Sequence, residues 1–506
     1  MHLAKVYSAE LEGVKAKLIE VEVDLNVGLH SFNIVGLADK ALSEAKERVS
    51  SAIKNAGFRP PNKENRKITV NLAPADIKKT GSQYDLAIAV GYLLASGQIK
   101  EFSPEGKIFL GELSLKGDLR PVAGALNFAI LADRLGLKEV FLPKANAGEA
   151  GLVHGPEIFP VNDLGELINH LGELKSLEAS PKTEFLFKDS PDYDIDDIRG
   201  QDSAKRALVV AAAGGHNLLM SGPPGSGKTM LAKALNSILP PLSLEESVEA
   251  SEIWSAAGLL NGSHLETRPF RAPHQTASPA AVVGGGQTPR PGEISLAHRG
   301  VLFLDELPEF RRDLLEALRQ PLESGEITVS RIKGNLIYPA RFMLVAAMNP
   351  CPCGYYGDPE KECRCSAYEV FRYQKKISGP LLDRIDIQIN VPRTNFDNLT
   401  GVRPATGRSQ REAVKRARAI QQKRFGKNNV EAITNAELSS KDCDKLINLT
   451  KEADKLLKEI FEKSLLSSRG YYRLLKTART IGDLDESEEV LPQHIAEAFQ
   501  LRLREK

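Results

Sequence analysis

Residues 216–235, HNLLMSGPPGSGKTMLAKAL, combine an apolar run, a glycine-rich turn and a helix-like pattern. The turn has the form G-x-x-x-x-G-K-T, and a strand, such a turn and a helix in this order are typical of a nucleotide-binding phosphate loop. Backbone N–H groups of the turn and the positive end of the helix dipole would face the phosphates. The candidate nucleotide-binding residues are Gly222, Pro223, Pro224, Gly225, Ser226, Gly227, Lys228 and Thr229.

A second motif supplies the acidic residues of the predicted ATP site. Residues 300–310, GVLFLDELPEF, predict a buried strand that ends at Asp305 and Glu306. Because ligands of open α/β sheets bind beyond the C-terminal ends of the strands, both carboxylates should lie beside the phosphate loop. We expect Lys228 to contact the β- and γ-phosphates, Thr229 and Asp305 to hold Mg²⁺, and Glu306 to act as the general base.

The composition is that of an ordinary globular protein. The chain has 506 residues, of which 42% are hydrophobic and 26% charged, and its formal net charge is +1, so about three domains are expected and any contact with nucleic acid must come from local basic surface. No apolar run approaches the ~20 residues that span a bilayer. The first residues lack the apolar core of a signal peptide, and five cysteines, four of them clustered, do not suit a secreted disulfide framework. We expect a cytoplasmic protein without a membrane partner.

Residues 1–171 alternate strand-like and helix-like patterns and predict an α+β domain with its own core. Helices are predicted over about 39–55, 84–96 and 123–135, and KEVFLPK (138–144) is predicted as the last strand. Residues 172–194 are polar, contain two prolines and are interpreted as a linker. An ATPase core over 195–395 and a helical domain over 396–506 are predicted to follow.

Two segments of the first domain resemble the proteolytic domain of Lon, in the version fused to magnesium-chelatase-like ATPases. These segments are KKTGSQYDLAIAVGYLLASG (78–97) and GELSLKGDLRPVAGALNFAILA (111–132). The active Lon domain uses a serine nucleophile that a lysine activates. In this chain Tyr84 or Asp85 falls near the serine position and Leu126 at the lysine position. Ser82 lies nearby without a positioned base, so we expect a structural or DNA-contacting domain that is inactive as a protease.

The ATPase segment resembles AAA+ proteins, and the resemblance implies two further site residues. Asn349, at the end of the strand in RFMLVAAMNP (341–350), resembles the sensor that orients water against the γ-phosphate; a strand-end cap is the alternative. Arg384, in GPLLDRIDIQINV, resembles the arginine finger that acts on a neighbouring subunit's ATP. A salt bridge from Arg384 to Asp383 or Asp386 is the alternative.

The C-terminal part resembles the helical lid of AAA+ proteins. Helices are predicted over about 442–464, 470–481 and 492–501. Arg469 resembles the second sensor of the lid, and Arg473, one turn further on, is the alternative. The implied fold is α/β: an AAA+ P-loop core, with a parallel sheet and helices on both faces, plus a helical lid, preceded by the α+β Lon-protease-like domain.

Two segments of the ATPase core are candidates for contact with DNA. Residues 326–338, EITVSRIKGNLIY, predict a β-hairpin whose tip carries Arg331 and Lys333. Magnesium-chelatase-type and MCM-type ATPases place a pore element at this point, where a basic tip could grip phosphates. The other segment, 267–300, is rich in glycine and proline and contains Arg271 and Arg290. Solvated loops are the alternative for both segments.

A cysteine cluster directly follows Asn349. The sequence NPCPCGYYGDPEKECRCS contains two C-x-C pairs, and four thiolates could form a tetrahedral S₄ site for structural Zn²⁺. Reduced structural cysteines and a redox pair are the alternatives. The position of the cluster predicts that it stiffens a loop beside the ATP site. The candidate zinc ligands are Cys351, Cys353, Cys363 and Cys365.

Taken together, GPPGSGKT, VLFLDELPEF, AAMNPCPCGYYGD, GPLLDRID and the Lon-like domain resemble the ComM/YifB family of magnesium-chelatase-like AAA+ proteins. The resemblance implies an ATP-driven hexameric ring that acts on branched or single-stranded DNA. It further implies a branch-migration helicase that supports integration of DNA in natural transformation and recombination. Two other classes remain open: a magnesium-chelatase-type motor or protein remodeller that does not act on DNA, and a Lon-like protease, against which Leu126 argues.

Overall fold

The computed structural model describes residues 3–36, 40–63, 65–185, 193–286, 290–331, 334–393, 407–464 and 466–502. These ranges form an N-terminal α/β unit, a core built on a parallel sheet, and a C-terminal set of helices. Within them, no helix combines the length and the apolar character that crossing a membrane requires.

A four-stranded mixed sheet and two helices begin the N-terminal unit. They are β1 (Leu3–Glu12), β2 (Lys15–Val27), β3 (Ser31–Val35), α1 (Lys40–Asn55), β4 (Arg66–Ala73) and α2 (Asp85–Ala95). The strand order is β1-β2-β4-β3; β3 runs parallel to β4, and the other pairs are antiparallel. Alternate residues of β2 are buried against α2, which is itself buried throughout. This alternation is what a sheet with one covered face requires.

A smaller parallel sheet, of order β5-β8-β9, completes the unit. The elements are β5 (Lys107–Phe109), β6 (Glu112–Leu113), β7 (Leu119–Arg120), α3 (Ala125–Arg134), β8 (Glu139–Pro143), α4 (Ala147–Ala150), β9 (Glu157–Val161) and α5 (Leu164–Leu171). The prediction that residues 138–144 form the last strand is wrong, because β9 and α5 follow. Pro160 weakens the sequence signal for strand β9, although an edge strand tolerates proline.

The described part of the predicted linker lies against the N-terminal unit. The Ser180 N–H donates to the carbonyl of Ile158 at 2.7 Å, and the Thr183 N–H donates to the carbonyl of Gly151 at 3.0 Å. Residues 172–185 are thus attached to this unit by backbone hydrogen bonds, whereas residues 186–192 lie outside the described ranges.

Five parallel strands form the sheet of the ATPase core, in the order β11-β14-β17-β10-β18. In chain order the core contains α6 (Asp202–Gly214), β10 (Leu218–Ser221), α7 (Lys228–Ile238), α8 (Leu244–Ala257), β11 (Phe270–Arg271), α9 (Pro279–Val283), β12 (Gly284–Gly285), β13 (Arg290–Pro291), α10 (Glu293–Leu296), β14 (Val301–Leu304), α11 (Arg312–Ala317), α12 (Pro321–Ser324), β15 (Glu326–Arg331), β16 (Gly334–Pro339), β17 (Met343–Met348), α13 (Ala367–Gln374), α14 (Gly379–Leu382) and β18 (Ile387–Asn390).

Apolar residues of this sheet alternate between two faces. Phe303 and Val345 pack in the cluster that contains α6 and α7, whereas Leu304 and Leu344 pack in the cluster that contains α8. Both faces are therefore covered by helices, as continuously apolar parallel strands require. This confirms the predicted α/β class, with a parallel AAA+-type sheet between helices.

The predicted hairpin over 326–338 is confirmed as β15 and β16, which pair from Glu326 with Pro339 to Arg331 with Gly334. Lys333 and the side chain of Arg331 lie outside the described residues. The base of the hairpin contacts the N-terminal unit: Val14, in the turn between β1 and β2, packs in the same apolar cluster as Ile327.

The C-terminal part consists of α15 (Gly407–Asn428), α16 (Ser440–Leu446), α17 (Lys451–Ser464), α18 (Ser468–Leu484) and α19 (Pro492–Gln500). The prediction of one helix over about 442–464 is wrong. Residues between α16 and α17 leave the helix because Leu449 forms a β-bridge with Val490, and the Val490 N–H donates to the carbonyl of Asn448 at 2.9 Å.

Buried hydrogen bonds fix the N-terminal unit on α8. The side-chain amide of Asn127 donates to the carbonyl of Glu252 in α8 at 3.2 Å and, within its own unit, to the carbonyl of Val14 at 2.6 Å. The Gly124 N–H donates to the carbonyl of Ser255 at 2.8 Å. Because buried polar groups are costly to leave unpaired, these contacts join the two parts firmly.

Candidate nucleotide site

The phosphate loop connects β10 to α7. Gly227 has a φ of +87°, in the left-handed region that glycine adopts without steric cost. A Cβ on Gly222 would lie 2.2 Å from the carbonyl oxygen of Val391, so the loop passes too close to the end of β18 for a larger residue. These glycines shape the predicted loop in different ways, one by conformation and one by lack of bulk.

Lys228 points back into its own loop. Its Nζ donates to the carbonyls of Gly222 (2.7 Å) and Pro223 (2.9 Å) and lies 3.4 Å from both Ser226 Oγ and Asn349 Oδ1. Burial lowers the pKa of Lys228, and the negative charges of Asp305 and Glu306, which follow β14, oppose that effect. The ammonium group thus lies in the mouth of the loop, where phosphate oxygens would exchange with these acceptors.

The predicted magnesium ligands are in contact. Thr229 Oγ1, on the first turn of α7, donates to Asp305 Oδ2 at 2.8 Å. Hydroxyl and carboxylate oxygens are the hard ligands that Mg²⁺ prefers, so this pair fits the ion. Glu306 follows with a φ of +53° and an exposed side chain. The left-handed backbone turns the chain sharply at the end of the strand and leaves this carboxylate free of the buried sheet.

Asn349 completes the predicted group. It follows β17, the central strand, while Asp305 follows β14 on one side and the phosphate loop follows β10 on the other. The three strands are parallel, so their C-terminal ends meet at one edge of the sheet. The structure therefore brings together Lys228, Thr229, Asp305, Glu306 and Asn349, as the sequence predicted.

Sequence analysis missed a tyrosine close to this edge. Tyr373 of α13 is buried, and burial together with the nearby charges of Glu309 and Glu306 raises the pKa of its hydroxyl. In the turn that follows α13, Lys376 forms a 2.9 Å ion pair with Glu309. A single tyrosine on an amphipathic helix gives no sequence signal of a position near Glu306.

The four clustered cysteines converge on one point. Their sulfur atoms all lie within 4.8 Å of one another, and three of the separations are 3.4, 3.7 and 3.6 Å. Tetrahedral Zn–S bonds of about 2.3 Å place sulfur atoms about 3.8 Å apart, so the cluster has nearly the required size. The N–H groups of Gly354 and Tyr356 also donate to Cys351 Sγ, at 3.2 and 3.3 Å. The donor set fits zinc.

The cysteine cluster lies against the phosphate loop. Gly354, in the turn after the first cysteine pair, has a φ of +87°, and a Cβ there would lie 2.6 Å from Pro224 Cδ. The prediction that the cluster lies beside the ATP site thus agrees with the geometry.

Arg384 and Arg469 lie together at a different place. Both guanidinium groups bind the carboxylate of Glu323: Arg384 to Oε2, and Arg469 to Oε1 at 2.8 Å. A cavity of about 660 Å³ between the core and the lid is lined by all three residues. None of the residues Gly222–Thr229, all of which are described, lines this cavity. Arg384 precedes β18, at the sheet edge opposite to the strand ends that carry the phosphate loop, and Arg469 lies beside it, so both arginines are apart from this loop.

The alternative partners considered for Arg384 are not its partners. Asp386 instead binds Arg473, whose Nη1 donates to Asp386 Oδ1 at 2.6 Å. Burial alone would raise the pKa of Asp386, but the guanidinium of Arg473 and the nearby ring of His216, 3.7 Å away, lower it below its usual range. Arg473 thus forms an ion pair with the buried Asp386 at the base of the lid.

Matches to known proteins extend along the whole chain. Residues 194–399 match the family described as "Magnesium chelatase, subunit ChlI", residues 21–146 match "Subunit ChlI of Mg-chelatase", and residues 405–502 match "Magnesium chelatase, subunit ChlI C-terminal". The chain is 45% identical to Competence protein ComM of Haemophilus influenzae, covering 99% of this chain and 98% of that protein. It is 42% identical to protein YifB of Escherichia coli, covering 99% and 97%.

The chain belongs to the ComM/YifB family of magnesium-chelatase-like AAA+ proteins. Similarity to the chelatase itself is shorter: the 38 kDa subunit of Rhodobacter capsulatus is 29% identical over 188 residues, which cover 32% of this chain and 52% of that protein. Membership of the ComM/YifB family and the assembled phosphate loop together identify an AAA+ ATPase that uses ATP and Mg²⁺.

The residues of the N-terminal unit that were compared with the Lon site have their own contacts, and Ser82 has a neighbouring acceptor, Glu112, that the sequence did not indicate. The hydroxyl of Ser82 donates to Glu112, a carboxylate, and the buried Asp85 binds Arg48 through a 2.6 Å hydrogen bond. Burial raises the pKa of Asp85 to about 6, although Arg48 opposes this shift. Leu126 is buried in place of the lysine that the Lon mechanism would need.

The candidate DNA contacts of the ComM/YifB-type core differ in availability. Arg271 donates to both carboxylate oxygens of Glu293, at 2.5 and 2.7 Å, and lies over the ring of Trp254. Its guanidinium is therefore already paired within the fold, and its role as a DNA contact stays a prediction. Arg290 begins β13 and is exposed.

Proposed function

We propose that this chain is the subunit of an ATP-driven ring, with six subunits, that moves on DNA and drives branch migration during integration of incoming DNA. The observation that carries the proposal is the end-to-end similarity to a protein named for competence, in which the N-terminal unit, the ATPase core and the lid are all included. A cytoplasmic location is part of the same proposal.

The candidate catalytic groups lie at two separate places in the chain's fold, and this separation supports a ring. Lys228, Asp305 and Glu306 lie at one edge of the sheet, whereas Arg384 and Arg469 lie in the cavity beside the lid. An arginine that cannot reach its own nucleotide can act on a neighbour's nucleotide, as arginine fingers do. We infer that each ATP site is completed by the next subunit.

The roles of the residues follow from their positions. Lys228 would hold the β- and γ-phosphates, and Thr229 with Asp305 would hold Mg²⁺. Bound Mg²⁺ neutralises charge that develops on the phosphate oxygens. Glu306 would accept a proton from the attacking water, and Asn349 would orient that water.

Two positively charged elements are the proposed DNA contacts. The sequence predicts Arg331 and Lys333 at the tip of the hairpin β15–β16, and Arg290 is exposed at the start of β13. Since the formal net charge of the chain is only +1, DNA affinity must depend on such local groups and should weaken as salt rises.

The cysteine cluster is proposed to hold structural zinc. Its four ligands would close the coordination sphere, and a closed Cys₄ site has no open position for catalysis. Zinc at this place would hold the turn at Gly354 against Pro224 and so stiffen the phosphate loop.

A magnesium-chelatase-type motor is the second candidate. The chelatase descriptions of all three matching families favour it, whereas the partial coverage of the chelatase subunit argues against it. Such a motor would respond to porphyrin and its partner subunits rather than to DNA.

The test is ATP hydrolysis with and without a four-way DNA junction, at about 50 and 200 mM salt. We expect the junction to stimulate hydrolysis, and the stimulation to fall as salt rises. Lys228→Ala is the control that removes nucleotide binding. If no DNA changes the rate of ATP hydrolysis while a porphyrin does, the magnesium-chelatase-type motor replaces the DNA motor as the proposed function.

A further inference from the structure

Glu323 links the two candidate arginines to the hairpin. One of its carboxylate oxygens binds Arg384 and the other binds Arg469, residues that are 61 and 146 positions away in the sequence. We propose that Glu323 is a positioning residue: it holds both arginines on their own subunit until a neighbour's ATP phosphates compete for them, and it transmits that exchange to β15–β16. This inference rests on the proposed ring motor and adds a coupling element to it.

Arg384 is withdrawn from the surface. Its side chain is only 5% exposed, and its Nη1 donates to the carbonyl of Pro380 at 2.7 Å. Its own carbonyl oxygen accepts hydrogen bonds from Arg473 (2.9 Å) and Asn217 (3.1 Å), which anchor the backbone. The backbone of Arg384 is therefore anchored, and its side chain must leave Glu323 to reach a neighbouring subunit.

In its buried position Arg384 does not use all of its hydrogen-bond donors. Its Nε is buried and has no hydrogen-bond acceptor among the described residues. A guanidinium group binds phosphate through two parallel N–H···O bonds. Exchange of Glu323 for a phosphate would let Arg384 use a donor that is unused in the withdrawn position.

Arg469 is the exposed member of the pair. It lies on the first turn of α18, and 58% of its side chain is exposed. It needs little rearrangement to leave Glu323, so the neighbour's nucleotide would engage the lid and the core through one shared carboxylate.

The hairpin begins next to Glu323. The residue lies in the short helix α12, and β15 starts three positions later, at Glu326. Gly325 ends the helix with a φ of +72°, and its carbonyl accepts a 2.8 Å hydrogen bond from the Ala340 N–H at the base of the hairpin. A displacement of Glu323 is therefore applied directly to the base of β15–β16.

The carboxylate is ionised at neutral pH, since the hydrogen bond from Arg384 lowers the pKa of Glu323 below its usual value. Glu323→Gln thus removes the charge and keeps the shape. Glu326→Gln is the matched control: it changes an exposed glutamate three residues further on, whose side chain has no described partner.

The experiment compares wild type, Glu323→Gln, Glu323→Ala and Glu326→Gln at a concentration where the ring is assembled. Basal ATP hydrolysis and its stimulation by a four-way junction are both measured. We expect Glu323→Gln and Glu323→Ala to raise the basal kcat about fivefold or more, with KM for ATP unchanged, and to bring the stimulation factor close to one. Glu326→Gln should match wild type.

The double variant Glu323→Gln/Arg384→Ala decides whether Glu323 acts through the arginine. It should be as slow as Arg384→Ala alone. The proposal is overturned if Glu323→Gln and Glu323→Ala keep the wild-type basal rate or slow it, or if the double variant is faster than Arg384→Ala. If wild type shows no response to DNA, the DNA function fails, while the basal rates still decide the role of Glu323.

Discussion

Thr229 Oγ1 donates a 2.8 Å hydrogen bond to Asp305 Oδ2, and this bond joins the helix after the phosphate loop to the end of a strand two positions away in the sheet. The central strand β17 lies between them and contributes Asn349. Three strand ends thus place hydroxyl, carboxylate and amide oxygens at one edge, beside the ammonium group of Lys228. This edge is prearranged for a metal-bound triphosphate.

Glu306→Gln should separate ATP binding from ATP hydrolysis. The amide keeps the size of the side chain but accepts no proton, so we expect ATP to bind as in wild type and hydrolysis to fall by about 10²-fold or more. Binding is measured with a fluorescent nucleotide and hydrolysis by phosphate release. Glu309→Gln, which changes the exposed carboxylate that pairs with Lys376, is the control. Wild-type hydrolysis by Glu306→Gln would show that another group is the base.

Zinc should be present when the protein is purified without chelators. We expect about one zinc ion per chain, and its loss in Cys363→Ser together with a lower Tm, because the cluster would lose a ligand. Cys443→Ser is the control: this cysteine is buried in the lid, outside the cluster, so the metal content should be unchanged. Wild-type protein without metal would contradict the assignment.

Much of the ATP site is predictable because local sequence determines it. A glycine-rich turn between a strand and a helix, and polar residues directly after apolar strands, must meet at one edge once the strands are parallel. Gly227, Asp305 and Asn349 therefore occupy the positions that the sequence predicts. Local periodicity also determines α1, which was predicted over about 39–55 and extends over Lys40–Asn55.

Features that depend on distant contacts were not predictable. Nothing local to Glu323 indicates that it binds Arg384 and Arg469, because these residues meet only after the lid packs on the core. Leu449 has helical neighbours on both sides, yet its bridge to Val490 breaks the helix. β9 was missed for a related reason: Pro160 indicates a turn locally, whereas its strand is stabilised by pairing with β8.

Glu252 should make stability depend on pH. Burial, with a contribution from the charge of Glu249, raises the pKa of Glu252 to about 7. A carboxyl whose pKa is higher in the folded state binds more protons there than in the unfolded state. Its contribution to stability is therefore fully present below the unfolded pKa, near pH 4.5, and is lost as the pH rises through about 7.

Glu252→Gln removes this titration and leaves a neutral side chain at every pH. We expect the variant to be more stable than wild type at pH 8, by about 1–3 kcal/mol, and close to wild type at pH 5. Urea unfolding at the two pH values measures the difference. Glu245→Gln, an exposed position on the same helix, should show the same offset at both pH values. Equal offsets for Glu252→Gln would contradict the prediction.

Arg384 is expected to act across a subunit boundary. Arg384→Ala should bind ATP normally but hydrolyse it about 10³-fold more slowly, since the developing charge on the phosphate would lack its arginine. Glu306→Gln is inactive for the opposite reason, because its own site lacks the base while its arginine is intact.

Mixing the two inactive variants tests this directly. In a mixed ring, the ATP site of an Arg384→Ala subunit keeps its own Glu306 and can receive Arg384 from an adjoining Glu306→Gln subunit. Hydrolysis should therefore reappear and be highest when the two variants are mixed in nearly equal amounts. Lys228→Ala mixed with Glu306→Gln is the control, because neither kind of site is complete in that ring. If the first mixture is as inactive as its components although rings form, Arg384 acts within its own subunit or has only a structural role, and the division of the site between subunits is wrong.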